Sequence, residues 1–312
     1  MQVKELKLAN LLIKNNIFLA PMAGYTDYAF RHGVINLGIG LSFTELVSAK
    51  GLAFMSEGTK ELLYSNGDTD KTAVQLFGAD PYYMRSACES EYLKDFKIVD
   101  INMGCPVPKV FRNGEGSALL LDIKKAESII KECVKSGKII TVKIRTGLVK
   151  GDDVATDFAL MAEQAGASLM TIHARVREDY YSGEPDYNAI ANAKNKVKIP
   201  IIANGGIFTV LDADTMIDKT GADGVMLARG IISNPFLISE LLHKEPNITL
   251  KEFILNQIYG MKDIYGERRA NFEFKKFIPY YLKGKNNTKD LKIAIMNAKE
   301  LERTIELINK NF

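Results

Sequence analysis

Ile17-Phe18-Leu19-Ala20-Pro21-Met22-Ala23-Gly24 is the stretch on which the fold turns. It begins as a short, continuous apolar run, the pattern of a strand buried on both faces. The turn after that run separates two architectures. A doubly wound open sheet would place Gly-x-Gly-x-x-Gly straight after its first strand, and Pro21-Met22-Ala23-Gly24 is no such turn. Seven further runs of the same kind occur at residues 41–45, 72–77, 98–102, 139–145, 168–173, 200–204 and 223–228. Eight strands alternating with helices over roughly 240 residues predict an α/β protein of the (β/α)8 TIM-barrel type.

The segments between the runs carry helical spacing. Residues 122–136 bring Ile123, Ala126, Ile129, Ile130 and Cys133 to one face, and residues 152–165 do so with Phe158, Met161 and Ala162. Thr209 is a candidate N-cap for a helix over 209–220. Near Lys244-Glu245-Pro246-Asn247 the alternation stops. Thr249 can cap a helix carrying Ile254, Ile258, Met261 and Tyr265, and Phe274, Phe277, Ile278 and Tyr281 suggest another, bent or broken at Pro279. A last helix reads through Leu291, Ile295, Ala298, Leu301, Ile305 and Ile308. The expected organisation is a barrel over residues 1–243 and a small helical bundle over 244–312.

Charge is divided unevenly between these parts. Residues 244–312 hold 14 Lys and Arg against 9 Asp and Glu, whereas the rest of the chain holds 27 against 29. A basic tail suits contact with a polyanion, and a lysine-rich surface kept for solubility is the plain alternative. The three cysteines, at 88, 105 and 133, form no Cys-x-x-Cys pair and no cluster with the three histidines, which argues against a metal site or a disulfide framework. Charged residues interrupt the apolar N-terminus, and no apolar run approaches the roughly 20 residues that span a bilayer. A soluble cytoplasmic protein with no membrane partner is expected; the oligomeric state is open, a monomer being the simplest case.

In a barrel of this kind the active site forms at the C-terminal strand ends. Pro21–Gly24, Glu45, Gln75, Asn102, Lys143 with Arg145, His173, Asn204-Gly205-Gly206 and Arg229-Gly230 all fall at or near such ends. The glycines after the seventh and eighth strands let backbone amides approach an anion, and Arg229 adds charge, so a phosphate site is expected there. Lys143 interrupts the apolar strand Thr141-Val142-Lys143-Ile144 and needs a partner anion. A reduced flavin would serve, and a Schiff-base lysine is the rival role. Cys105, between Asn102 and Pro106, would be a protonated thiol at neutral pH and thus a proton donor, while Cys88 and Cys133 read as core residues.

These residues belong to motifs that resemble the tRNA-dihydrouridine synthases, most nearly the bacterial B-type subfamily. The matching stretches include Ala20-Pro21-Met22-Ala23-Gly24, Val74-Gln75-Leu76-Phe77-Gly78, Asp100-Ile101-Asn102-Met103-Gly104-Cys105-Pro106, Val142-Lys143-Ile144-Arg145-Thr146-Gly147, Thr171-Ile172-His173-x-Arg175 and Tyr280-Tyr281-Leu282-Lys283-Gly284. The resemblance implies FMN held by Pro21, Met22 and Ala23, with Gln75 and Lys143 at its ring edge and His173 nearby. Asn204, Gly205, Gly206, Ala228 and Arg229 would bind its phosphate. It implies hydride transfer to C6 of a tRNA uracil, protonation of C5 by Cys105, and NADPH as reductant. Asn102, Lys109, Arg112, Arg145 and Arg175 are the candidates for gripping the nucleotide. Gly206 stands where the family often has Asp, and Ala228 where Gly is common. The leading rival is a flavin enzyme of free pyrimidines, then a Schiff-base aldolase using Lys143 and an RNA-binding protein on an inactive barrel.

Overall fold

The computed structural model describes residues 1–54 and 57–312. An N-terminal hairpin pairs β1 (Leu6–Leu8) with β2 (Leu11–Ile13). Eight parallel strands come next: β3 (Ile17–Leu19), β4 (Ser42–Ser48), β5 (Thr72–Phe77), β6 (Ile98–Met103), β7 (Ile139–Arg145), β8 (Leu169–His173), β9 (Ile201–Asn204) and β10 (Gly224–Leu227). Their order is β3-β10-β9-β8-β7-β6-β5-β4, and a parallel bridge between Phe18 and Leu41 joins the two ends. This is the expected (β/α)8 barrel. Strand β4 runs past its expected end, continuing to Ser48 through an irregularity between Phe43 and Leu46, so Glu45 lies within the strand rather than at its tip.

Because side chains alternate across a strand, every second residue faces the barrel axis. One apolar layer takes Phe18, Phe43, Ala73, Ile98, Ile139, Leu169, Ile202 and Met226, one from each strand. Leu6, Leu8 and Ile13 of the hairpin pack into the same cluster and close its lower end. Two residues further along the strands the inward positions become Gln75, Asp100, Thr141, Thr171 and Asn204. The interior therefore changes from hydrocarbon to hydrogen-bonding groups toward the C-terminal mouth. That gradient makes the mouth a site for a polar ligand over an apolar floor.

The outward residues of the strands pack under the helices in a second cluster that continues without interruption into the tail, through Phe253, Ile258, Met261, Phe274 and Phe277. The helix Tyr28–Asn36 is capped by the Asp27 side chain, which accepts from the N–H of Phe30. A Cβ at Gly33 of this helix would lie 2.8 Å from the Phe253 ring, so the absence of a side chain permits the close approach of the tail. The tail thus shares the barrel's core.

Thr249 and Glu252 form a capping box at the start of the helix Leu250–Phe274, which is kinked at Gly266, where φ is 74°. Pro279 lies in the first turn of the short helix Ile278–Tyr281, where a missing N–H costs nothing. The expected last helix proves to be two, Lys289–Asn297 and Leu301–Asn311. Ala298 is extended, and its carbonyl accepts from Asn271 and Lys275, so tertiary hydrogen bonds break a helix whose apolar spacing is continuous.

Candidate active site

A cavity of about 670 Å³ opens at the C-terminal mouth. Its lining includes Pro21, Met22 and Ala23 after β3, Asn102 and Cys105 at β6, Lys143 and Arg145 on β7, His173 and Arg175 at β8, Asn204, Gly205 and Gly206 at β9, and Ala228 and Arg229 after β10. Three expected residues stand elsewhere. Gln75 is fully buried beneath the floor, and Lys109 and Arg112 lie on the helix Pro108–Arg112, outside the lining. A second depression, of about 540 Å³, lies between helices of the outer wall, and among the described residues no cation and no strand-end residue lines it.

Four cations, Lys143, Arg145, Arg175 and Arg229, meet in the mouth cavity, and among the described residues no Asp or Glu lines it. Burial pushes Lys143 down to about 7, with Arg145 adding to the effect and Asp100 opposing it. Its Nζ donates to Asn204 at 3.1 Å. Burial also lowers Arg145 to about 10. His173 is held well below 6.5, by burial first and then by all four cations, so its imidazole is neutral at physiological pH. A concave, carboxylate-free cluster of desolvated cations is a site for an anion.

The arginines are positioned by backbone carbonyls. Arg145 donates through Nε to Gly104 at 2.9 Å and through Nη1 to Val176 and Tyr180. Arg175 donates to Ser182 and Gly183. Arg229 donates to the Tyr181 carbonyl at 3.1 Å, and its guanidinium lies 4.9 Å from the Tyr181 ring and 5.8 Å from that of Phe208. Carbonyls and ring faces orient these groups, and Asp179 and Glu184, the acids that act on Arg145 and Arg175, stand outside the lining. Gly205 and Gly206 have φ of 122° and 72°, and a Cβ would meet His173 at 2.9 Å at the first and Pro185 at 2.9 Å at the second. The backbone here demands glycine at 205, and at 206 it takes the left-handed conformation that glycine adopts without strain.

Cys105 is half-buried, and burial raises its thiol above the ordinary 9.0 although Arg145 and a backbone N–H at Val107 oppose the shift. It is protonated at neutral pH and shares the cavity with the cations. Its backbone N–H donates to Asn102 Oδ1 at 2.9 Å, and that of Gly104 does so at 3.2 Å. Cys88 and Cys133 are free thiols buried in the helical shell, as expected.

Several lining residues escaped the sequence reading. Tyr181 and Phe208 are half-exposed rings that hold Arg229, and Tyr25 packs edge-on against Tyr280, which brings the tail to the cavity. Tyrosines and phenylalanines in loops have no spacing that sets them apart from ordinary surface residues. The only signal was proximity: Tyr180-Tyr181-Ser182-Gly183 comes after the His173-x-Arg175 motif in one loop.

Comparison with known proteins gives consistent results. Residues 18–312 match the family described as dihydrouridine synthase. The tRNA-dihydrouridine synthase B of Pasteurella multocida (strain Pm70) is 37% identical over 289 residues, covering 89% of this chain and 87% of that protein. A probable tRNA-dihydrouridine synthase of Rickettsia conorii is 34% identical over 301 residues, covering 93% and 91%. Among solved structures, an old yellow enzyme homologue from Zymomonas mobilis superimposes with a TM-score of 0.59 at 13% identity, covering 80% of this chain and 95% of that one. A 2-naphthoyl-CoA reductase does so at 0.61, also at 13% identity, covering 77% and 52%. At such identities these likenesses concern the fold alone. Among the described residues no helix is long and apolar enough to cross a membrane, and no cluster of His, Cys, Asp and Glu could hold a metal ion.

Proposed function

The chain belongs to the dihydrouridine synthase family, and on that premise we propose that it reduces the C5–C6 double bond of uridines in tRNA, using FMN with NADPH as the reductant. The family and the B-type bacterial relatives carry the reaction class, that of a flavin-dependent oxidoreductase acting on tRNA. The observation that supports the residue roles is one cavity, lined by no carboxylate among the described residues, that joins four basic side chains to a protonated thiol.

The donor set fits a flavin mononucleotide. Pro21, Met22 and Met226 offer an apolar floor to a planar ring, and Lys143 offers a cation to an anionic ring edge. The glycine backbone at 205 and 206 with Arg229 suits a phosphate. When bound, the flavin supplies hydride to C6 of the uracil ring. The protein's part is to hold the base and deliver the proton. Cys105 donates its thiol proton to C5, and its raised pKa keeps it loaded at neutral pH. Asn102 fixes the loop that carries it. Neutral His173 lines the same cavity and competes for no proton. The uridine must leave its stack to reach this depth, so the surrounding RNA needs a second grip, which the basic tail provides.

Cys105→Ala is the test. The variant should fold and keep its yellow colour, but turnover on tRNA lacking dihydrouridine should fall by about 10²- to 10⁴-fold, the usual weight of a general acid. In the wild type, the thiol should stay protonated through the neutral range, and its ionisation should contribute a fall in turnover only on the alkaline side. A fully active variant would remove Cys105 from the mechanism.

A further inference from the structure

Beneath the cavity floor lies a buried polar chain whose direction is set by a carboxylate acceptor at one end and by backbone donors at the other. Asp100, fully buried on β6, accepts from the Thr141 hydroxyl at 2.6 Å through Oδ1 and from Gln75 Nε2 at 2.7 Å through Oδ2. Gln75 Oε1 accepts from Asn102 Nδ2 at 2.8 Å. Asn102 Oδ1 then accepts from the backbone N–H groups of Gly104 and Cys105. An amide side chain can point either way, and a carboxylate can only accept. The carboxylate turns the NH2 end of Gln75 toward itself, which presents the Gln75 oxygen to Asn102, and that in turn presents the Asn102 oxygen to the cysteine loop. We propose that Asp100 is a positioning residue that sets the placement of the Cys105 thiol through this directed chain.

Strand register carries the same arrangement. Gln75 pairs with Asp100 across β5 and β6, and Asp100 with Thr141 across β6 and β7, so the three side chains share one inward layer. Every polar atom of the two amides except one N–H on each is engaged within the chain, and Gln75 has no exposed surface. Reversing one amide therefore reverses the next. With Asn102 reversed, its NH2 group would face the N–H groups of Gly104 and Cys105, donor against donor, and the loop would lose its anchor. The proposal rests on Cys105 being the proton donor for its consequence in turnover, and on nothing functional for its consequence in thiol reactivity.

The test is a double-mutant cycle read on Cys105 itself. Cys88 and Cys133 are buried, so modification of the native protein by iodoacetamide reports Cys105. Thr141→Val leaves the carboxylate in place and should keep the wild-type rate. Asp100→Asn can turn its new NH2 toward Thr141, whose hydroxyl accepts instead, and should also stay near wild type. Asp100→Asn with Thr141→Val has no acceptor on that side, so the new NH2 is either stranded against the apolar side chain or turned against the NH2 of Gln75, and in both cases the chain loses its fixed acceptor end. Only the double variant should show a several-fold rise in alkylation rate, a shifted pH profile of that rate, and turnover lower by about ten- to a hundredfold at unchanged KM for tRNA. Gln75→Met, which cuts the chain in the middle at nearly constant shape, should also raise alkylation and serves if the double variant does not fold. Effects in the double variant that equal the product of the single ones, or a wild-type alkylation rate in Gln75→Met, would overturn the proposal. Normal alkylation behaviour in the cycle with no turnover on tRNA in the wild type would instead count against the assigned reaction.

Discussion

Arg229 offers the most direct test of the proposed cofactor site, because its surroundings predict a loss confined to one part of the ligand. Its guanidinium is oriented by the Tyr181 carbonyl at 3.1 Å and by the rings of Tyr181 and Phe208, and among the described residues no carboxylate lining the cavity neutralises it. Removing it should leave the fold intact, since the side chain is only partly buried and supports no strand. A hydrogen bond to a charged group contributes about 1.5–3 kcal/mol, and partial exposure favours the lower end. Arg229→Ala should therefore weaken FMN binding by about ten- to a hundredfold. The assay is fluorescence titration of flavin-free protein with FMN and, in parallel, with riboflavin, which shares the ring but lacks the phosphate. Wild-type protein should prefer FMN strongly, and the variant should lose most of that preference while riboflavin binding barely changes. Equal weakening of both ligands, or no change in either, would refute the placement of the phosphate beside Arg229.

Two further outcomes test the core and the buried acids. Burial raises Asp27 from 3.8 to about 6, so the folded protein binds this proton more tightly than the unfolded chain does. The charged carboxyl therefore costs stability above about pH 6, and the cost fades as the pH falls toward 4. Asp27→Asn keeps the cap on Phe30 and should raise the unfolding free energy at pH 8 by at most about 3 kcal/mol, with the gain shrinking toward pH 4 in urea titrations; a gain independent of pH would refute this. Gly33→Val should destabilise by about 1–3 kcal/mol through collision with the Phe253 ring, outweighing any gain in helix propensity, and an unchanged melting temperature would show that the tail does not dock as described.

Much of the barrel was legible because a buried parallel strand leaves a local mark. Each of the eight runs is short, nearly all apolar and bounded by polar or glycine residues, and all eight became strands. The hairpin β1–β2 left no such mark. Its strands are three residues each, Lys7 interrupts the first and Lys14 ends the second, and the burial of Leu6, Leu8 and Ile13 depends on a barrel floor built from distant parts of the chain. The break at Ala298 was hidden for a related reason. Its carbonyl is claimed by Asn271 and Lys275, and a pairing across more than 20 residues has no trace in local spacing.

The chemistry divides in the same way. Residue identity and strand-end address alone determined that Cys105, Lys143, His173 and Arg229 would meet at one mouth, because a closed parallel barrel sends every strand tip to the same rim. Only the tertiary structure decided how they are held. It turned Arg145 and Arg175 onto loop carbonyls, placed Gln75 below the cavity as a link between Asp100 and Asn102, and brought Tyr280 of the tail to the mouth. Hydrogen-bond direction and ring contacts depend on ångström-scale placement of groups far apart in sequence, and local pattern carries no information at that scale.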